Sequence, residues 1–238
     1  MIVNFLEEKK ASSGLAIGAV IMGVIASVIW VAGVSMSAFE MTGEDVLGFI
    51  TLGGIASLIS GILQLIVMRQ WATALKMNKD NTKIVLDYLG VKSQDVEEKF
   101  DISVIRNRIE SIDIKTWAFW MYVIFYILNS FAPLLGFLGI MALLALIFYA
   151  IYLQSIFTAS NQLQDVKTSM YNVLSKGDML VNLKIIKPRN IFLVVLLSIV
   201  TLGIYAFYLL VVLTKEINTF IDQDKELRDR LILQAVKD

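Results

Sequence analysis

The chain has 238 residues, 57% of them hydrophobic and 18% charged, with 21 basic and 21 acidic side chains and a formal net charge of +0. Its mean hydropathy of +0.72 is well above that of an ordinary soluble domain, and a balanced charge implies no bulk attraction to nucleic acid. Cysteine and histidine are absent, which excludes disulfides, thiolate or imidazole metal ligands, iron–sulfur clusters, cysteine nucleophiles and a Ser-His-Asp triad, and leaves no cofactor to expect.

Four uncharged stretches carry the hydrophobic excess, at residues 11–39, 46–68, 116–164 and 190–214. A helix needs about 20 apolar residues to cross a hydrocarbon core of about 30 Å. The composition therefore predicts an all-α polytopic membrane protein with four clear spans, a fifth broken or re-entrant apolar segment, and helical extensions outside the bilayer. The first stretch follows Lys9 and Lys10 and is too long for the apolar core of a secretory signal. It reads as an uncleaved first span, closed into a hairpin over residues 11–68 by the second stretch. Gly14 and Gly18 share a face of span one, and Gly53, Ser57 and Gly61 share a face of span two, at the four-residue spacing that lets membrane helices approach closely. Gln64 is the costliest polar side chain to bury there. Its expected partner is on a neighbouring helix, and the sharper alternative is a substrate contact.

Residues 69–115 hold Arg69, Lys76, Lys79, Lys83, Lys92, Lys99, Arg106, Arg108 and Lys115. The link between spans one and two holds Glu40, Glu44 and Asp45 and no base. The distribution of Lys and Arg places residues 69–115 and 158–189 in the cytoplasm, together with the N-terminus. Trp71, Trp117 and Trp120 then fall at the cytoplasmic interface. Val96, Phe100, Val104/Ile105, Ile109 and Ile112 recur at helical spacing, so residues 69–115 form a helical segment. Gly90 is the expected stop of its first helix and Ser93 the expected N-cap of the next. The apolar stripe is expected to pack on its own partner helices, and a protein-docking face is the sharper alternative.

Residues 116–164 are 49 without a charge, about 74 Å as one helix. They must fold back, and Asn129-Ser130 followed by Pro133 supplies the expected turn of a second hairpin at 116–157. Asn129 is a second candidate buried polar residue. Residues 71–89 align with 156–174 at a constant offset, matching Thr73, Ala74, Asp80 and Leu89 to Thr158, Ala159, Asp165 and Leu174. This weak internal repeat extends to a third copy at the Thr-Leu-Gly of residues 201–203.

In residues 190–214 each half is about 16 Å of helix and cannot cross alone. One solution is a single tilted span containing Gly203. The other is a re-entrant hairpin that turns at Thr201–Gly203 and returns the C-terminus to the cytoplasm, as the repeat favours. Residues 215–238 form a polar helix with i,i+4 pairs Asp224/Arg228 and Glu226/Arg230. Its apolar positions are Ile217, Phe220/Ile221, Leu227 and Leu231, with Asp224 breaking the stripe, and a solvated helix is expected.

Arg189, then the turn Thr201, Leu202, Gly203, Ile204 and Tyr205, then Phe207/Tyr208 and Lys215-Glu216-Ile217-Asn218 form a recognisable series. It resembles a large prokaryotic family of small integral-membrane proteins classed as a domain of unknown function. That family has tryptophan where this chain has Leu209. The resemblance covers about 35 residues and implies a prokaryotic plasma membrane and an all-α fold, with no activity attached.

No Asp, Glu, Lys or Arg lies inside an apolar stretch, which disfavours proton-coupled transport. Phosphate-binding glycine loops and paired catalytic carboxylates are missing. The sequence points to a non-enzymatic structural, accessory or scaffold subunit, in contact with lipid and with other membrane subunits or a second copy of itself. The competing class is a channel or carrier for an ion, lipid or small solute.

Overall fold

A computed structural model describes residues 5–37, 43–135, 139–175 and 181–237. All its regular elements among these residues are helices: α1 (Ser13–Ser37), α2 (Gly43–Lys92), α3 (Val96–Glu110), α4 (Thr116–Leu135), α5 (Ile140–Leu174), α6 (Ile191–Val200) and α7 (Ile204–Lys237). Four are long and apolar enough to cross a membrane, within α1, α2, α5 and α7. The fold is that of a helical membrane protein.

The helices form three antiparallel pairs: α1 with α2, α4 with α5, and α6 with α7. In each pair the second helix is the longer and runs on into polar sequence. α2 has 50 residues and is about 75 Å long, far more than a bilayer of about 30 Å requires. The polar halves of α2, α5 and α7 descend side by side and, with α3, build a water-facing bundle below the apolar one.

Two expected boundaries move. α4 continues through Asn129, Ser130 and Pro133 to Leu135. Proline removes one backbone donor near a helix end, whereas an open turn in hydrocarbon would strand several backbone groups. Gly139, with φ 89°, precedes α5, and residues 136–138 lie outside the described residues. Likewise α2 passes through Gly90 to Lys92, and the N-cap of α3 is Asp95, whose side chain accepts from the Glu97 N–H. Gly90 faces α3, where a Cβ would make ordinary contact with Ile102 at 3.6 Å. Ser93 donates to the Glu98 carboxylate and to the Asp95 carbonyl.

The seam between α1 and α2 is built of small side chains. Ala16, Ala19 and Ala26 of α1 are buried, as are Gly53, Ala56 and Ser60 of α2. The Ser60 hydroxyl donates to the Ala19 carbonyl at 2.7 Å, and a Cβ on Gly53 would meet Trp30 at 3.1 Å. Outside the seam the apolar halves expose Val24, Val28 and Val31 of α1, Leu52, Ile55 and Leu58 of α2, and Leu143 and Ile147 of α5. A surface of that extent is a liability in water and a match to lipid.

Below this level the interior resembles that of a soluble protein. Trp71, Leu75 and Leu86 of α2, Ile156, Leu163 and Met170 of α5, and Leu213, Ile217 and Phe220 of α7 are all buried. Trp71 is therefore an interior residue and not an interfacial one: its indole N–H donates to the Thr214 hydroxyl at 2.8 Å. Trp117 and Trp120 are exposed, and Trp120 carries the Arg69 guanidinium 5.0 Å above its ring.

The segment at residues 190–214 turns. Asn190 caps α6 by accepting from the Phe192 N–H. At the far end the Gly203 N–H donates to the Ser198 carbonyl and the Leu202 N–H to that of Ile199, the paired bonds of a Schellman ending. Leu202 takes the left-handed position with φ 50° and Gly203 follows at 91°. Thr201 joins the two helices, donating to the Leu197 carbonyl and accepting from the Tyr205 N–H. The chain then comes back on itself, for the Arg189 guanidinium meets both oxygens of Glu216 at 2.7 and 2.8 Å.

Candidate functional site

The water-facing bundle closes around a network of buried charge. The Lys167 ammonium of α5 lies 2.6 Å from Asp224 Oδ2 of α7, and neither side chain has exposed surface. Asp224 also accepts from the Asn78 amide of α2 at 2.7 Å and from the Tyr171 hydroxyl at 2.8 Å. Arg228, one turn further along α7, approaches Asp224 at 3.5 Å and Glu8 at 2.8 Å. The Asn78 amide reaches Glu8 as well, at 3.1 Å. Two carboxylates thus face two cations, and the network ties together the N-terminal segment, α2, α5 and α7. The Phe220 ring stands 5.7 Å from the Lys167 ammonium, and the Phe5 ring 5.0 Å from the Arg228 guanidinium.

The electrostatics follow from burial and pairing. Burial pulls the Lys167 ammonium down to about 8, against the opposing pull of Asp224. Burial alone would raise the Glu8 carboxyl, but the hydrogen bond and charge of Arg228 hold it below the ordinary value. The Tyr171 hydroxyl is pushed well up, by burial first and then by the Asp224 charge. A buried lysine with a depressed pKa is a frequent mark of chemistry. Here it is sealed: Lys167 and Asp224 have no exposed surface, and each faces a partner of opposite charge. A cavity of about 470 Å³ opens beside the Glu8–Arg228 pair, lined by Phe5, Lys10, Ile221 and Lys225 among others. It meets Glu8 and Arg228, whereas Lys167 is not among its lining residues. Among the described residues no three acidic side chains converge as metal ligands.

Each hairpin is entered through a non-helical strap held by side chains of the polar halves. The first strap, residues 5–12, is clasped by amides: Asn81 accepts from the Leu6 N–H and donates to the Leu6 carbonyl, and Asn218 does the same for Ala11. Gln70 accepts from the Ser12 N–H. The second strap, residues 111–115, is held by Lys79, which donates to the carbonyls of Glu110 and Ile112, and by Ser155, which accepts from the Lys115 N–H. The third follows α5 and lies on a polar ladder one turn apart on that helix. Asn172 pairs with both backbone groups of Val181, Thr168 accepts from Leu183, and Gln164 bonds Ile185 and Ile186. An extended segment without a strand partner must satisfy its backbone some other way, and these side chains do so.

The residues singled out from sequence fall in the following places. Gly53 lies on the buried α1–α2 seam, whereas Gly61 faces α4, where a Cβ would meet the Tyr126 hydroxyl at 2.6 Å. Gly18 faces Leu63 at 3.6 Å, and Gly14 has only Ser12 of its own segment within reach. Ser57 is exposed, and Ser60 is the seam's hydroxyl. Gln64 is half-buried and bonds within its own helix, to Ser60 at 3.3 Å. Asn129 is half-buried on α4. Asp224 and Arg228, expected on a solvated helix, are buried instead. Their partners Lys167, Glu8, Asn78 and Tyr171 carried no sequence expectation. The apolar stripe of α3 divides: Ile102, Ile105 and Ile109 point inward with Ile112, while Val96, Phe100 and Val104 point out.

A family model described as a domain of unknown function (DUF4234) matches residues 189–234, the span that holds α6, most of α7, the Arg189–Glu216 pair and the buried Asp224 and Arg228. No curated protein and no solved structure matches the chain.

Proposed function

We propose that the protein is a non-enzymatic subunit of a prokaryotic plasma-membrane assembly, with its polar bundle and both termini in the cytoplasm. The observation that carries this reading is a cluster of exposed apolar side chains on the polar part of the fold. Val91 and Val96 are each 80% exposed and Phe100 is 67% exposed. They lie where α2 passes into α3, about 30 Å of helix beyond Arg69. Val96, Phe100 and Val104 recur every four residues and share a face. Beside them a groove of about 480 Å³ runs between α2 and α3, with Leu86, Gly90, Val91 and Ile102 in its lining alongside the polar Asp87, Lys99, Ser103 and Arg106. Exposed apolar groups clustered outside a bilayer mark a protein contact. The sealed ion network supports a structural role in the same way, since it locks three hairpins into one rigid base. Lys79 and Gln164 support the internal repeat: at matched positions in its two copies, each holds a strap leading into a later hairpin.

The test is purification from the native membrane of wild type and a Val96→Ser/Phe100→Ser variant. Wild type is expected to run in a stoichiometric complex that the variant loses while keeping its own helical signal. A wild-type chain that runs alone and conducts ions or solutes in liposomes would instead support a channel or carrier and overturn the subunit reading.

A further inference from the structure

The second strap bounds a cavity that neither the ion network nor the apolar tip accounts for. Its volume is about 500 Å³, inside the range of about 300–1,000 Å³ usual for ligand pockets. Its walls are the strap, α5 and the first residue of α6. Along α5 they change character: Ala150 and Ile151 are apolar, whereas Gln154, Thr158 and Gln162 are polar. That change falls where the apolar run of α5 gives way to polar sequence, so the cavity straddles the edge of the hydrocarbon. Trp117 begins α4 just beyond the strap, exposed and edge-on to Phe148 at 6.1 Å, as amphipathic rings are placed at headgroup depth.

The strap presents charge to this cavity. Ile112 is buried and Ile114 half-buried, while Asp113 and Lys115 between and after them are exposed. This is the two-residue alternation of an extended chain. Both Asp113 and Lys115 line the cavity, and neither forms an ion pair among the described residues. One carboxylate and one ammonium side by side, above polar amides and next to an apolar wall, are the complement of a zwitterion with a hydrocarbon tail.

We propose that this cavity binds the phosphoethanolamine headgroup of a bilayer phospholipid, with Lys115 on the phosphate and Asp113 on the primary ammonium. Gln154, Thr158 and Gln162 supply neutral hydrogen bonds, and the acyl chains leave along Ala150, Ile151 and Ile191. A choline group has no N–H to give Asp113, and a glycerol headgroup brings no cation, so the ethanolamine headgroup is preferred over both.

The experiment exchanges the purified full chain into vesicles of equal parts dioleoyl phosphatidylethanolamine, phosphatidylcholine and phosphatidylglycerol, then counts retained lipid by native mass spectrometry. One phosphatidylethanolamine per chain is expected to persist. Asp113→Asn is expected to weaken that retention about tenfold or more, because a charged hydrogen bond is lost, and to leave the weak phosphatidylglycerol signal unchanged. Lys115→Gln is expected to weaken both. Since both side chains are exposed, unchanged melting of each variant separates lost binding from lost folding. Equal retention of the three headgroups, or full retention by Asp113→Asn, overturns the proposal. So does soluble phosphoethanolamine that displaces the lipid at concentrations matching it, since the ligand would then be a free phosphate ester.

Discussion

Asp224 of α7 stands 2.6 Å from the Lys167 ammonium of α5 with no solvent on either side chain, and it is the one acid in the network that three helices address at once. Asn78, Tyr171 and Arg228 complete its surroundings. Removing one partner of a buried pair leaves an uncompensated charge and costs about 3–5 kcal/mol. Asp224→Asn should therefore loosen the whole water-facing bundle, seen as faster amide exchange along residues 215–233 of α7. Lys167→Met should cost less, because Asp224 keeps Arg228, Asn78 and Tyr171. Equal protection in Asp224→Asn and wild type would remove the network from any structural role.

The same network makes stability depend on pH in two separate windows. The folded Glu8 carboxyl lies below its ordinary 4.5, so the unfolded chain binds the extra proton as the solution is acidified. Its contribution is complete above pH 4.5 and lost as the pH falls through the folded value. Lys167 has the opposite geometry with the same sign of slope. Its folded value is about 8 against an ordinary 10.5, so between these the unfolded chain holds more protons and folding strengthens as the pH rises. The melting advantage of wild type over Glu8→Gln should be constant above pH 4.5 and shrink as the pH falls below it, and wild type should gain on Lys167→Met as the pH rises from 8 to 10. Parallel curves in both windows would refute the assignment.

The first strap is expected to detach when its amide clasps are cut. Asn81→Ala and Asn218→Ala each remove a donor and an acceptor from the backbone of Leu6 and Ala11, at about 1–3 kcal/mol apiece. Exchange protection at Leu6 and Ala11 should fall in the matching variant while α4 and α5 stay protected. Loss of protection across both hairpins would show that the strap is integral to the bundle and not a separable element.

Much of this was legible in the residues, and the losses have a common cause. Uncharged runs long enough to cross a bilayer announce themselves by length, so the helical membrane fold could be read directly, while the segment around Gly203 was open between a single span and a turn. The ion network could not, because its members come from four segments and each is ordinary alone. Asp224 did carry a signal. Ile217, Phe220/Ile221, Asp224, Arg228 and Leu231 are spaced by three or four residues, so the charges sit on the apolar face of α7 and not opposite it. A charge on a core-facing stripe indicates a buried partner. The straps were invisible for another reason: their partners are scattered Asn, Gln, Thr, Ser and Lys side chains, whose pattern has no period in the strap itself. Pro133 misled because a proline near the end of a membrane helix costs less than an open turn there.

Close approach in the apolar half gives a graded test. A Cβ on Gly61 would lie 2.6 Å from the Tyr126 hydroxyl, and one on Gly54 would meet nothing within 4 Å. Gly61→Ala should destabilise by about 1–3 kcal/mol through overpacking, and Tyr126→Phe should relieve part of that cost. Gly54→Ala should be neutral or slightly stabilising. Thermal melting in one detergent separates the two positions, and indistinguishable melting temperatures would contradict the close packing of α2 on α4.

The turn at Thr201–Gly203 makes the last prediction, and it concerns depth. α6 has 10 residues, or about 15 Å, half of a bilayer core. Arg189 and Glu216 are paired at its base, so the ends of the hairpin share one level. Leu202, 93% exposed at the tip, should then lie near the middle of the hydrocarbon. Because the chain has no native cysteine, single substitutions report cleanly in intact cells and in lysed cells. Asp229→Cys and Lys184→Cys should both stay protected from an impermeant thiol reagent until lysis. Leu202→Cys should resist it before and after lysis, because hydrocarbon excludes the charged reagent and keeps the thiol protonated, and react only once the protein is denatured in detergent. Labelling of Asp229→Cys from outside intact cells would mean that α7 crosses the membrane, and the Arg189–Glu216 pair could not then exist.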